Sequence, residues 1–189
     1  MKKYKTIYVD PPWKEVGGRD KTGRKWGADI HYPVMSVEQI KSLKIPDLAD
    51  PTGCHLYLWV TNNFLPIGLD VMKCWGFRYV TKVDWVKVNE KLQCGLGQYF
   101  RGASESCLFG VMGKVPYKKD ENGKRMQGRT AIIAPRREHS QKPEEMRKMI
   151  EVVSYSPRIE LFAREKSKGW DVWGDEIEGV QIEVVDAAV

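Results

Sequence analysis

Apolar and polar positions along this chain alternate in two recognisable periods. Residues 5–9 run Lys5-Thr6-Ile7-Tyr8-Val9, a β-branched and aromatic stretch that reads as a short buried strand. Residues 55–61 form a second clear strand, His55-Leu56-Tyr57-Leu58-Trp59-Val60-Thr61, introduced by Pro51-Thr52-Gly53. Between them, Ser36-Val37-Glu38-Gln39 matches a capping box with Ser36 as N-cap and Gln39 at N3. The helix it opens turns Ile40 and Leu43 inward and stops before Pro46. Residues 64–75 carry Leu65, Leu69, Met72 and Trp75 at helical spacing, with Gly76 as the stop signal. Residues 77–88 return to an aromatic and β-branched pattern and read as one or two strands. Strand, helix, strand, helix, strand predicts an α/β sheet with parallel crossovers.

The second half continues the pattern. Residues 105–112 form a strand, and residues 115–129 make a hairpin excursion turning at Asn122-Gly123. Ser140 reads as an N-cap, Pro143 suits a first turn, and Glu144 and Glu145 complement a helix N-terminus. Met146, Met149, Ile150 and Val153 are that helix's apolar stripe, a core-packing face. Residues 157–164 are the last core strand, and residues 169–177 close the domain. Two segments break the periodicity. Residues 14–30 hold Gly17, Gly18, Gly23 and Gly27 among Arg19, Lys21, Arg24 and Lys25, a surface loop. It suits a lid, a phosphate-contacting arm or a solvated connector. Residues 89–104 contain Gly95-Leu96-Gly97, which lacks the third glycine and the closely preceding strand of a dinucleotide fingerprint. Gln98-Tyr99-Phe100-Arg101 sets two aromatics beside a cation, either to stack a base and hold a phosphate or to pin the loop to the core.

Composition narrows the class. The 189 residues fit one domain, residues 1–189, with a core over about residues 4–177, and 42% hydrophobic content argues for a folded globule. A net charge of +6 and pI near 9.1 suit an anionic partner. Lys118, Lys119, Lys124, Arg125 and Arg129 make the predicted hairpin either a basic finger for a nucleic-acid backbone or a solvated hairpin. Four cysteines without a C-x-x-C pair, and three histidines, exclude a structural zinc site and imply thiols in a reducing compartment. With no secretory h-region and no membrane-length apolar run, a cytoplasmic protein off the membrane is expected.

Chemistry concentrates at Asp10-Pro11-Pro12-Trp13. A carboxylate at a strand end is followed by two prolines, which remove two N–H donors and restrict the direction of the carbonyls. Beside an indole, this is an acceptor-rich edge suited to a planar, amino-bearing group such as a nucleobase, or else a strand-terminating turn.

The tetrapeptide stands in order with blocks at residues 32–36, 56–61, 85–87, 105–110, 140–144, 159–164 and 173–176. Together they resemble the MT-A70 family of S-adenosylmethionine-dependent adenine N6-methyltransferases, from Asp10 to about Ile177. The resemblance implies a Rossmann-like α/β fold, a mostly parallel sheet with helices on both faces in permuted motif order. The Asp10 and Arg164 strand ends would then be neighbours at a topological switch point. It implies methyl transfer from S-adenosylmethionine to adenine N6 in nucleic acid, DNA by preference, with RNA as alternative. A non-catalytic nucleic-acid-binding partner subunit, and N4-cytosine methylation, are ranked below it because Asp10 and Trp13 are present. A homodimer or a heterodimer with a related subunit is also implied, and no metal.

The same resemblance assigns roles. Asp10 and the Pro11 carbonyl would accept the two N–H bonds of the target amine, with Pro12 and Trp13 completing the catalytic tetrapeptide. Trp13 would stack on the base, Tyr32 would line its pocket, and Glu105 would stand near the substrate; Lys14, beside the tetrapeptide, and Arg101, from the aromatic-and-cation stretch, are further candidates to face the substrate. For Glu105 the rival role is pairing a nearby arginine. Lys142 would meet the methionine carboxylate of the cofactor, with Phe162 and Arg164 lining its adenosine and ribose side and Asp10 also in contact with it. Asp175 and Glu176 would hold its ribose or adenine; relatives often carry Asn at the position of Asp175, and a carboxylate cannot donate as an amide does.

Overall fold

The computed structural model describes residues 2–14, 34–95, 97, 99–136, 141–174, 177–180 and 184. In chain order its elements are β1 (Thr6–Val9), α1 (Val37–Lys41), α2 (Ile45–Leu48), β2 (Gly53–Val60), α3 (Leu65–Cys74), β3 (Arg78–Lys87), β4 (Ser104–Gly113), β5 (Ala131–Ala134), α4 (Glu144–Val153), β6 (Arg158–Leu161) and β7 (Asp171–Trp173). The strands form one sheet in the order β5-β3-β4-β2-β1-β6-β7. β1 pairs in parallel with β2 and β6, and β3–β5 and β6–β7 are also parallel. β4 alone runs against both neighbours, β2 and β3. This is the expected α/β Rossmann-like sheet with one reversed strand.

Alternation along the strands builds two cores. Ile7 and Val9, with Leu56, Leu58 and Val60, face a layer holding Ile40, Leu43, Ile45, Leu48, Val71, Met72 and Trp75. Tyr8, Tyr57 and Trp59, with Val83, Trp85 and Cys107, face Met146 and Ile150 of α4. Helices therefore cover both faces, and all four β1 positions are buried. By the same alternation Asp10 follows Tyr8 onto the α4 face.

Local signals explain most element ends. Ser36 and Gln39 make both bonds of the capping box. Leu43 is buried, yet α1 stops at Lys41, and Pro46 opens α2 instead of ending a longer helix. Gly76 takes φ +77° after α3. Residues 77–88 yield a single strand, β3.

Two expectations are corrected. Residues 157–164 are not the last strand, since β7 pairs with β6 through Ile159–Asp171 and Leu161–Trp173. α4 begins at Glu144 with Pro143 as N-cap and no side-chain cap bond, while Ser140 lies outside the described residues.

The excursion over residues 115–129 turns where Asn122-Gly123 predicted, with Asp120 accepting from Asn122 and Lys124 N–H at 2.9 Å each. A single bridge, Lys119–Arg125, closes it. It leaves β4 after Gly113, which pairs with Gly53 at the sheet end opposite Asp10.

Candidate active site

The site forms where β1 and β6 end side by side. Val9 pairs with Leu161, so Asp10 and Phe162 emerge together at the carboxyl ends of neighbouring parallel strands. Phe162 takes φ +60°, a left-handed conformation that costs a non-glycine residue roughly 1–2 kcal/mol and clusters at functional sites. Its ring meets Trp173 edge-on at 5.2 Å. A narrow cleft opens here, lined by Asp10, Gln141, Lys142, Arg147, Glu160, Phe162, Arg164 and Glu165. The expected meeting of Asp10 with Arg164 is present.

Lys142, just ahead of α4, crosses the cleft. Its Nζ lies 2.7 Å from Asp10 Oδ2 and 3.4 Å from Glu105 Oε2. Glu105 is also ion-paired, through Oε1, to Lys87 of β3. The partner of Glu105 is thus lysine, where arginine had been the rival expectation. Burial pushes the Asp10 carboxyl above its ordinary value, and Glu105 adds to this against the pull of Lys142 and Arg164. At Glu105 burial also pushes upward, but Lys142 and Lys87 outweigh it and hold the carboxyl below its usual range. Lys142 is held protonated, since its two carboxylate partners outweigh its own burial.

A second charge cluster backs the cleft. Arg147 Nε lies 2.8 Å from Glu160 Oε2, and its Nη1 2.8 Å from Glu165 Oε1. Glu160 is buried, which raises its carboxyl despite Arg147.

The prolines and the tryptophan behave differently from expectation. The Pro11 carbonyl already accepts Trp13 N–H at 2.8 Å, a three-residue turn, and the Pro12 carbonyl accepts Met35 N–H at 2.8 Å. Each keeps one lone pair, so the acceptor-rich edge is half used. The Trp13 indole donates to the Trp59 carbonyl at 2.9 Å and packs on Phe64, 5.1 Å between centroids. At 6% exposure it offers no open face for a base, which corrects its stacking role. Trp13 is an anchor that fixes the turn after Asp10.

Lys14 is exposed beside this turn. Arg101 stands in a separate loop, donating from Nε to Gly95 O at 2.9 Å and from Nη2 to Cys94 O at 3.1 Å. Tyr99 and Phe100 next to it are each 92% exposed, so they do not pin the loop to the core. Tyr32, Asp175 and Glu176 lie outside the described residues, as does most of the 14–30 loop.

Lys87, Arg147, Glu160 and Glu165 were not anticipated. Alternation from Val83 and Trp85 could have placed Lys87 on the α4 face, and a charge within the Met146–Ile150 stripe could have drawn notice to Arg147. Among the described residues no group of three or more His, Cys, Asp or Glu could hold a metal ion. Among them, too, no helix is long and apolar enough to cross a membrane.

The arrangement presents one carboxylate able to accept from an amine, one ammonium able to meet an anion, and a cleft that both line. Comparison with known proteins gives it a context. The MT-A70 family model matches residues 4–176. The chain is 30% identical, over 97% of its length, to the type II methyltransferase M.MunI of Mycoplasma sp and covers 82% of that protein. It is 29% identical over 95% of its length to a putative N(6)-adenosine-methyltransferase MT-A70-like protein of Medicago truncatula. The same figures hold for the human N(6)-adenosine-methyltransferase catalytic subunit METTL3. The chain spans 27% of the former protein and 29% of the latter.

Proposed function

The chain belongs to the MT-A70 family, and on that premise we propose that it transfers a methyl group from S-adenosylmethionine to the N6 amine of adenine in nucleic acid, preferentially DNA. The observation that carries the reading is the Asp10 carboxylate at the β1 end, ion-paired to Lys142 and lining one cleft with Lys142 and Arg164. S-adenosylmethionine supplies a methyl group already activated on a sulfonium. The lining of the cleft carries charge of both signs, as the zwitterionic methionine end of such a cofactor requires. The Lys142 ammonium can meet a carboxylate, and the Phe162 ring borders the same space.

The amine of adenine is a poor nucleophile because its lone pair is conjugated with the ring. Asp10, accepting one N–H, and the remaining lone pair of the Pro11 carbonyl, accepting the other, let the nitrogen pyramidalise. The carboxylate also stabilises the positive charge that develops on nitrogen. In a duplex the base has to leave the stack first, at a cost of a few kcal/mol.

The preference for DNA is supported by the likeness to the type II methyltransferase, 30% identical over 97% of this chain, and RNA remains the alternative through the relatives named for N(6)-adenosine. The deciding experiment incubates the protein and labelled S-adenosylmethionine with duplex DNA, single-stranded DNA, RNA or no nucleic acid. Nucleoside digestion should put the label in N6-methyladenine from DNA. Label in adenine from RNA alone would reverse the polymer preference, and label in N4-methylcytosine or in no pool would overturn the proposal.

A further inference from the structure

Four charges alternate along one line through the site: Asp10, Lys142, Glu105 and Lys87. Three come from strands or strand ends, β1, β4 and β3, and Lys142 from the segment before α4. The middle ammonium is unequally shared, at 2.7 Å from Asp10 and 3.4 Å from Glu105. Glu105 uses Oε2 towards Lys142 and Oε1 towards Lys87, so each oxygen faces its own cation. Beneath the line lies an aromatic floor. Lys142 Nζ stands 5.5 Å from the Trp59 ring centroid and Lys87 Nζ 4.9 Å from that of Trp85, and the two indoles meet edge-on at 6.2 Å. Such a floor favours ammonium groups at either position while limiting water.

An Asp10 oxygen bonded to an ammonium is a weaker acceptor for an amine, because the stronger donor already holds it. Lys142 has a second carboxylate within reach, and that carboxylate keeps its orientation through Lys87. We propose that Lys142 shifts from Asp10 to Glu105 when Asp10 takes the substrate amine, with Lys87 as the positioning residue that holds Glu105 ready. The proposal rests on the reading of Asp10 as acceptor for the target amine. Glu105 is the seat that frees Asp10 without expelling a buried cation. Lys87 acts through Glu105 and stands outside the residues that line the cleft.

The test compares the full chain with Glu105→Gln, Lys87→Met and Lys87→Arg, each first checked for an unchanged melting temperature. Calorimetry measures binding of an adenine-containing oligonucleotide and, separately, of S-adenosylmethionine; a pH–rate profile is recorded for transfer. Glu105→Gln and Lys87→Met should each weaken oligonucleotide binding and lower kcat/KM by about tenfold, with the S-adenosylmethionine Kd within about twofold of the parent. Removing the Lys87 cation should also move the acidic limb of the profile to higher pH, since Glu105 loses its partner and its charge then bears on Asp10. Lys87→Arg should restore both. A parent that methylates adenine while Lys87→Met keeps its pH profile and oligonucleotide affinity overturns this proposal alone. A parent that methylates nothing overturns the functional reading and this proposal with it.

Discussion

Asp10 and Glu105 share one ammonium, yet their surroundings drive them in opposite directions. Glu105 is locked in its charged form by two lysines, whereas Asp10 is lifted by burial and by Glu105 itself. Divergence of this kind marks sites where two acids have different tasks. Asp10→Ala should therefore reduce labelled methyl transfer by at least about a hundredfold, the scale for losing one transition-state partner. Its S-adenosylmethionine affinity by calorimetry and its melting curve should stay close to the parent; undiminished transfer would remove Asp10 from the mechanism. His55 gives an independent, structural test. Burial holds its imidazole down to about 4 from an ordinary 6.5, and Nδ1 meets Ser154 Oγ at 2.7 Å. The unfolded chain gains this proton near pH 6.5 and the folded one only near 4, so acidification between those values removes stability. The loss should approach about 3 kcal/mol, read from urea melts across that window, and should be absent in His55→Gln. Asp10 was legible in the sequence because a strand ran straight into it. The burial of Trp13 was not, because its partners, Trp59 and Phe64, come from elements some fifty residues away in the chain.

At the level of elements, α3 shows how closely helix and sheet approach. A Cβ at Gly68 would collide with Val60 Cγ1 and come within 3.1 Å of Leu108 Cδ1. Gly68→Ala gains about 1 kcal/mol of helix propensity but overpacks the interface at a cost of about 1–3 kcal/mol. A net loss of about 1 kcal/mol is expected in denaturant titration; a stabilised variant would refute the close approach. The apolar stripe of α3 was readable from its period, but this glycine contact was not, since no local signal records a neighbour's side chain. The loop between β3 and β4 behaves in the opposite way. Gly95 N–H bonds to Gly102 O at 2.7 Å and Arg101 ties down two carbonyls, so the loop is built, yet it displays Tyr99 and Phe100. Its base lies at Lys87, whose N–H bonds to Ala103 O at 2.9 Å, immediately beside the site. Replacing both aromatics with Ala should weaken single-stranded oligonucleotide binding by about 1–3 kcal/mol per lost stack, measured by anisotropy. Unchanged affinity with a change in sedimentation would assign the surface to a second copy of the chain.

For the whole molecule, the sequence made the layered α/β plan readable but not the direction of every strand. A largely apolar run such as Cys107-Leu108-Phe109-Gly110-Val111 looks the same in either direction; pairing alone reverses β4. β7 escaped notice because three residues carry too little pattern to be told from a closing turn. The charge line through Lys142 escaped for a related reason, as its four members are brought together only by the sheet order.

The seat of β1 between β2 and β6 also governs when the site comes into being. β3 and β4 are neighbours in sequence and can pair through a short closure, whereas β1 has to recruit β6 from the far side of the chain, Thr6 opposite Arg158. Local pairings are reached first and distant ones last. In pulse-labelled hydrogen exchange during refolding, β3 and β4 amides should gain protection before those of β1 and β6; simultaneous protection would contradict this order. A chain still emerging from the ribosome would carry Asp10 long before Leu161, and own no cleft until Leu161 had arrived beside Val9. The Asp10 carboxylate is thus made well before the strand that completes its surroundings.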